Sequence, residues 1–259
     1  MGTIQIHEFD ITKMPRSCTW FVIGPPGTGK SRFIADMAYY TKHIYPVARV
    51  FSETEDSNTF FGGGGSGGIF PPLFVSEDYS EEAERNHVLR QKLCKQDSDC
   101  ENGSALNILD DCSKDPKIYR SILVQNLFKN GSRHWDQLCM VGLQYAIDVM
   151  PVIRKCVSYV ALLREAEVNE REKLYKNFGG LAGSFKNFCD LMDQLTDDHT
   201  ALIINKRSQS NDPAECFFYY KAEIHEDDNG KPNWKFGCNE YWEWSKKRYN
   251  KGYQGRVIA

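Results

Sequence analysis

The chain has 259 residues, 41% of them hydrophobic and 26% charged. That suits a globular protein with a sizeable core and excludes a collagen-like or disordered chain. No run approaches the roughly 20 apolar residues of a membrane-spanning helix. The 32 Lys and Arg against 35 Asp and Glu leave a formal net charge of -3, which excludes a globally basic nucleic-acid coat but leaves room for a local basic stripe.

Strand and helix signals alternate along the chain. Cys18 to Ile23 is a short apolar run ending at a glycine-rich loop, the pattern of a buried parallel strand. Ser31 to Tyr40 has helical spacing, with Phe33, Ala35, Met37 and Ala38 inward. Ala48 to Phe51 reads as a second strand and Leu73 to Val75 as a short one; Ser80 to Gln96 reads as a charged helix with Val88 and Leu89 inward. Ala105 to Leu109 is a third core strand running into Asp110-Asp111. A helix is expected from Pro116, in the favoured first position, to Phe128, with Asn130-Gly131 ending it. Strands follow at Leu138 to Gln144 and Val157 to Leu163, then two helices around Gly179-Gly180. Thr200 to Asn205 and Cys216 to Tyr220 are further strands, and Asp228-Asn229-Gly230 signals a hairpin turn.

This alternation predicts one α/β domain over 1–259, a mostly parallel central sheet with helices on both faces. Gly62 to Gly68 reads as an engineered flexible linker that replaces or splits a natural loop, not as a nucleotide motif. Residues 240–259 form a C-terminal tail. From Ser245 on it holds Lys246, Lys247, Arg248, Lys251 and Arg256 and no acid; Trp242, Trp244, Tyr249 and Tyr253 interleave with them. Bases mixed with aromatics suit a nucleic acid, and equally an aromatic helix packed on the domain.

Nine cysteines are scattered without a C-x-x-C pair, and Cys139, Cys156, Cys189 and Cys216 sit in apolar runs. They read as reduced thiols; Cys94, Cys100 and Cys112 are too loosely spaced for zinc. No secretory signal is visible, and Ile6 spoils the myristoylation pattern of Met1-Gly2. The expected location is inside a cell.

Gly24-Pro25-Pro26-Gly27-Thr28-Gly29-Lys30-Ser31 matches G-x-x-x-x-G-K-[ST]. Its backbone N–H groups can curl round the phosphates of ATP, Lys30 can reach the β and γ oxygens from an exposed loop, and Ser31 offers a hydroxyl to Mg2+. Leu106 to Asp111 resembles a Walker B strand, in which Asp110 would hold Mg2+ and Asp111 would orient or deprotonate the attacking water. Gln144 closes the next apolar strand, where a polar tip can sense the γ-phosphate. Arg154 and Arg133 lie in loops bordering these strands, and either could act across a subunit interface as an arginine finger.

These segments, with Asn130-Gly131-Ser132-Arg133-His134-Trp135, Gly142-Leu143-Gln144-Tyr145-Ala146 and Pro151-Val152-Ile153-Arg154 before Ser158-Tyr159-Val160, resemble one family. It is the poxvirus-type genome-packaging ATPases of nucleocytoplasmic large DNA viruses, a branch of the FtsK–HerA superfamily, and the wording is close to iridovirus-like members. The resemblance spans about residues 18 to 223. It implies a RecA-like (ASCE) core and a ring-shaped homo-oligomer that hydrolyses ATP to drive double-stranded DNA into a capsid. It further implies Gln144 at the end of the fourth core strand, Arg154 as the preferred trans finger, a viral capsid or membrane component among the partners, and a viral assembly site in the host cytoplasm. A small nucleotide kinase and a nucleotide-dependent assembly protein with little turnover remain the alternatives.

Overall fold

The structure, a computed structural model, describes residues 5–250 apart from 66, 67, 113, 116 and 147. Among the described residues nine strands form one sheet: β1 (His7–Glu8), β2 (Thr19–Ile23), β3 (Val47–Ser52), β4 (Val75–Ser76), β5 (Ala105–Asp110), β6 (Gln137–Leu143), β7 (Tyr159–Leu162), β8 (Thr200–Asn205) and β9 (Phe217–Lys221). Their order is β1-β9-β8-β7-β2-β6-β5-β3-β4. Every neighbouring pair is parallel except the two made by β8. The expected mostly parallel α/β sheet is therefore present.

The five central strands are apolar on both faces because helices cover both. Phe21 and Ile23 of β2 point into one cluster with Val141, Leu162, Phe178 and Phe188. Trp20 and Val22 point into the other, with Phe33, Met37, Met140 and Ala161. The period-two alternation of the strands thus assigns Phe33 and Met37, on the helix Lys30–Thr41, to one face and Phe178 and Phe188 to the other.

Several local expectations need correction. Leu89 is 49% exposed, and the inward face of the helix Glu81–Gln96 is Glu84, His87, Val88 and Gln91. The segment expected as one helix starts with a 3-10 turn, Ile118–Arg120, becomes α-helical at Ile122–Asn126 and continues as a π-turn over Leu127–Gly131. Asn130-Gly131 does not end it; a last turn, Ser132–His134, follows. The buried side chains of Leu127 and Phe128 hold that stretch against the sheet, so packing overrides the local stop signal.

Pro72–Phe74 is a 3-10 turn ahead of β4, and Cys216 ends a short helix, Pro213–Cys216. Residues 239–248 of the tail form a helix, Asn239–Arg248, whose buried Tyr241 donates to the carbonyl of Ala48. Lys251, Tyr253 and Arg256 lie outside the described residues. The stem of the glycine segment packs into the protein: Gly62 N–H donates to Glu55 at 2.7 Å and Phe70 N–H to Phe61 at 3.0 Å. Among the described residues no helix is long and apolar enough to cross a membrane.

Candidate nucleotide site

Parallel strands all end at one edge of a sheet, and ligands of such sheets bind there, outside the carboxyl ends. Here β2 ends at the P-loop, β5 at Asp110-Asp111 and β6 at Gln144. The register fixes their levels: Ile23 lies beside Leu143, and Asp110 beside Gly142. Since β6 runs between β2 and β5, Gln144 stands between the phosphate loop and the acidic pair. Its half-buried side chain has no hydrogen-bond partner among the described residues.

The loop itself needs left-handed backbone at Gly27 (φ 79°) and Gly29 (φ 103°), and Gly29 caps the helix that begins at Lys30. Only glycine adopts such angles without strain. The free N–H groups of the first helical turn then face the loop's hollow, where an anion is favoured.

Lys30 is not on an exposed loop, as the sequence suggests, but 4% exposed in the first turn of the helix. Its ammonium donates to the carbonyls of Gly24 (2.9 Å) and Pro25 (3.3 Å) and lies 3.5 Å from Asp111. The hydroxyl of Ser31, one residue on, donates to Asp110 Oδ2 at 2.7 Å. Two motifs 79 residues apart in the chain are thereby joined at a single contact.

Asp110 is buried, and its Oδ1 has no hydrogen-bond partner among the described residues; the same holds for Asp111 Oδ1. Burial is the main cause that pushes the Asp110 carboxyl up to about 6; the Ser31 hydrogen bond opposes this and the neighbouring Asp111 charge adds to it. A buried carboxylate with an orphaned oxygen beside a serine hydroxyl is an oxygen-donor pair that suits Mg2+. Residues and group fit: Ser31 and Asp110 would hold the ion, which when bound neutralises charge on the β and γ oxygens.

Asp111 has φ 50°, uncommon for a residue with a side chain. The turn is held by its N–H, which donates to the carbonyl of Gly142. Gly142 has a second role: a Cβ there would lie 2.3 Å from Asp110 Oδ1. A glycine inside an apolar strand signals such close approach, yet nothing in the sequence says that the approaching group is Asp110.

Two further residues reach this edge. Glu55 accepts from the N–H groups of Phe61 and Gly62, and burial raises its pKa. His199 Nδ1 lies 3.2 Å from the carbonyl of Thr28. It is there because β8 is the reversed strand, so the loop that precedes it ends at the P-loop edge. Nothing in the sequence marks β8 as reversed.

The two arginines part company. The Arg154 guanidinium donates to the carbonyls of Ala146 (3.3 Å) and Val149 (3.0 Å), tying down the loop that follows Gln144. Arg133 is exposed, just ahead of β6, at the edge of the sheet opposite its own P-loop. Between Arg133 and the P-loop edge runs β6, seven residues long and so about 23 Å. In the tail helix the Arg248 guanidinium lies 3.4 Å over the Trp244 ring.

No protein-family model matches the chain. It is 41% identical over 233 residues to the uncharacterized protein 075L of Invertebrate iridescent virus 6, covering 90% of this chain and 86% of that one. Its fold matches the genome packaging NTPase B204 of Sulfolobus turreted icosahedral virus 2, solved with ATP-gammaS, at TM-score 0.53 and 17% identity over 80% of this chain and 98% of that one. The pCW3 conjugation coupling protein TcpA matches at TM-score 0.54 and 13% identity over 82% and 62%. With the P-loop, the Asp110-Asp111 pair and the strand between them in place, the chain belongs to one family with the 075L protein of Invertebrate iridescent virus 6, and its fold is that of a P-loop NTPase.

Proposed function

We propose that this protein is an ATP-hydrolysing motor that moves viral double-stranded DNA into the capsid as a ring-shaped homo-oligomer, working at the viral assembly site in the host cytoplasm. The observation that carries the hydrolytic part is the Ser31–Asp110 contact at 2.7 Å with Lys30 and Asp111 beside it. The likeness in fold to a viral genome packaging NTPase supports the DNA part.

In this reading the P-loop N–H groups and Lys30 bind the β and γ phosphates, and Ser31 and Asp110 hold Mg2+. Asp111, with one oxygen unpartnered, takes the proton of the attacking water, and Gln144 orients that water or the γ-phosphate. Lys30 has to leave the Gly24 and Pro25 carbonyls to follow the phosphates. The finger comes from a neighbouring subunit. Arg133 is the arginine free to serve it, whereas Arg154 already binds two carbonyls of its own chain and steadies the Gln144 loop.

The test is ATP turnover with and without duplex DNA. Lys30→Ala should abolish turnover and nucleotide binding. Because Lys30 is buried, Lys30→Met, which keeps most of its volume, is the companion variant, with the melting temperature as the check on folding. DNA of arbitrary sequence should raise wild-type turnover, and Arg133→Ala subunits should poison wild-type activity in mixtures. Undiminished hydrolysis in Lys30→Met refutes the site. Phosphate transfer to a nucleoside monophosphate, without release to water, indicates a kinase; binding without turnover under any condition indicates an assembly protein.

A further inference from the structure

The edge of the sheet opposite the P-loop carries a groove of about 610 Å³ lined by Lys129, Arg133, Lys155, Lys206 and Arg207, with polar serines between them and no acidic residue. The topology gathers these residues from three separate segments. Lys129 and Arg133 precede β6, Lys155 precedes β7, and Lys206 and Arg207 follow β8. Because β8 is antiparallel to β7, pairing Asn205 with Tyr159, its end lies beside the beginning of its neighbours.

None of the five cations has a carboxylate at ion-pair distance among the described residues; every ion pair there lies elsewhere. Chain composition does not produce this, since acids outnumber bases by 35 to 32. Five like charges around one groove repel one another, each close pair by a few tenths of a kcal/mol to about 1 kcal/mol in water. Such a cluster is relieved by an anion carrying several charges. Lysines and arginines interspersed with hydroxyls are the donors that phosphate oxygens accept from.

We infer that this groove is a second phosphate-binding site, separate from the P-loop, that takes a run of phosphates. That run is the backbone of duplex DNA, a polyanion whose affinity is set by the phosphates that Lys and Arg neutralise. The inference deepens the motor reading by giving its partner a place. Its first test needs neither Mg2+ nor hydrolysis, so the two readings can fail separately.

The experiment compares the full chain with the Lys155→Ala/Arg207→Ala double variant, two exposed side chains outside the hydrolytic site. Lys117→Ala/Lys186→Ala removes the same charge from other exposed positions and is the control. In the first arm, nucleotide-free protein is titrated into a fluorescent 30-base-pair duplex at several salt concentrations. The groove variant should lose affinity tenfold or more, and the salt slope should flatten by about two, as expected for two released counterions. In the second arm, ATPase activity without DNA is followed against protein concentration. The DNA reading is overturned in favour of a neighbour's nucleotide if the groove variant keeps its DNA affinity and its P-loop affinity for a fluorescent ATP analogue but loses the rise of specific activity with concentration. Unchanged behaviour in both arms, or equal losses in the control, overturns the inference.

Discussion

The two edges of the sheet are built on opposite electrostatic plans. At the P-loop edge the charges are buried and close: Lys30 is 4% exposed and lies 3.5 Å from Asp111, and Asp110 sits on the Ser31 hydroxyl. At the other edge, the five cations are exposed and have no carboxylate at ion-pair distance among the described residues, though Lys206 donates to the Arg154 carbonyl and Lys129 to Gln125. A low local dielectric strengthens each contact at the first edge, so a small change in geometry there has a large effect. At the second edge, water and salt screen each charge, and only their sum matters. One edge is arranged in advance for a compact ligand of fixed shape; the other suits an anion that arrives from outside.

If this contrast is right, a change at one edge leaves the other undisturbed. Asp111→Asn keeps size and hydrogen bonding but loses basicity. Hydrolysis should fall by about 10²-fold or more while ATP binding and the DNA affinity of the nucleotide-free protein stay the same. Near-normal turnover would move the water-activating role to another residue, Gln144 first. Loss of DNA affinity in the same variant would mean that the edges are not independent.

Gly142→Ala tests the tightness of the first edge. The new Cβ would fall 2.3 Å from Asp110 Oδ1, so the carboxylate or the strand has to shift. A loss of about 1–3 kcal/mol of stability is expected from the overpacking. The Mg2+ concentration needed for half-maximal turnover should rise by roughly tenfold, read by titration. An unchanged Mg2+ requirement would show that the site yields without harm. No comparable sensitivity to one methyl group is expected in the groove.

An effect on stability alone, seen only as pH rises, comes from the interior between the edges. Glu84 is buried against Asn107 and Arg49. Burial raises its carboxyl from 4.5 to about 7, against the lowering effect of the Asn107 hydrogen bond and the Arg49 charge. The folded state thus holds this proton more tightly than the unfolded one. Stability from the group is complete below pH 4.5 and is lost as pH rises through 7. Glu84→Gln should match wild type near pH 4 and exceed it by roughly 3 kcal/mol above pH 7.5. Denaturant unfolding at both pH values checks this, since other titrating groups cancel in the difference. A constant difference between the two proteins would mean that Glu84 is ionised throughout.

Much of the protein was legible in the chain because its signals are local. The P-loop depends on backbone angles at Gly27 and Gly29 and on a strand and a helix directly beside it, all within about a dozen residues. The apolar runs of β2, β5 and β6 announce strands covered on both faces, and Asp110-Asp111 and Gln144 fall at strand ends whose direction a parallel sheet fixes. The misplaced boundaries, such as the helix continuing through Asn130-Gly131, arise where packing of Leu127 and Phe128 outweighs a weak stop signal.

What the chain order could not reveal depends on strand direction and on close approach between distant segments. Reversal of β8 brings His199 to the phosphate loop and Lys206 and Arg207 to the opposite groove, though no residue in β8 encodes a direction. The need for glycine at 142 arises only when β6 lies beside β5. Arg154 and Arg133 look alike as loop arginines; the fold gives one of them two carbonyls and leaves the other in solvent. Sequence by itself determined which chemical groups are present and the local shape of the loop that holds them. The tertiary structure decided which groups share an edge, because hydrogen-bonded pairing of strands sets neighbours without regard to their separation along the chain.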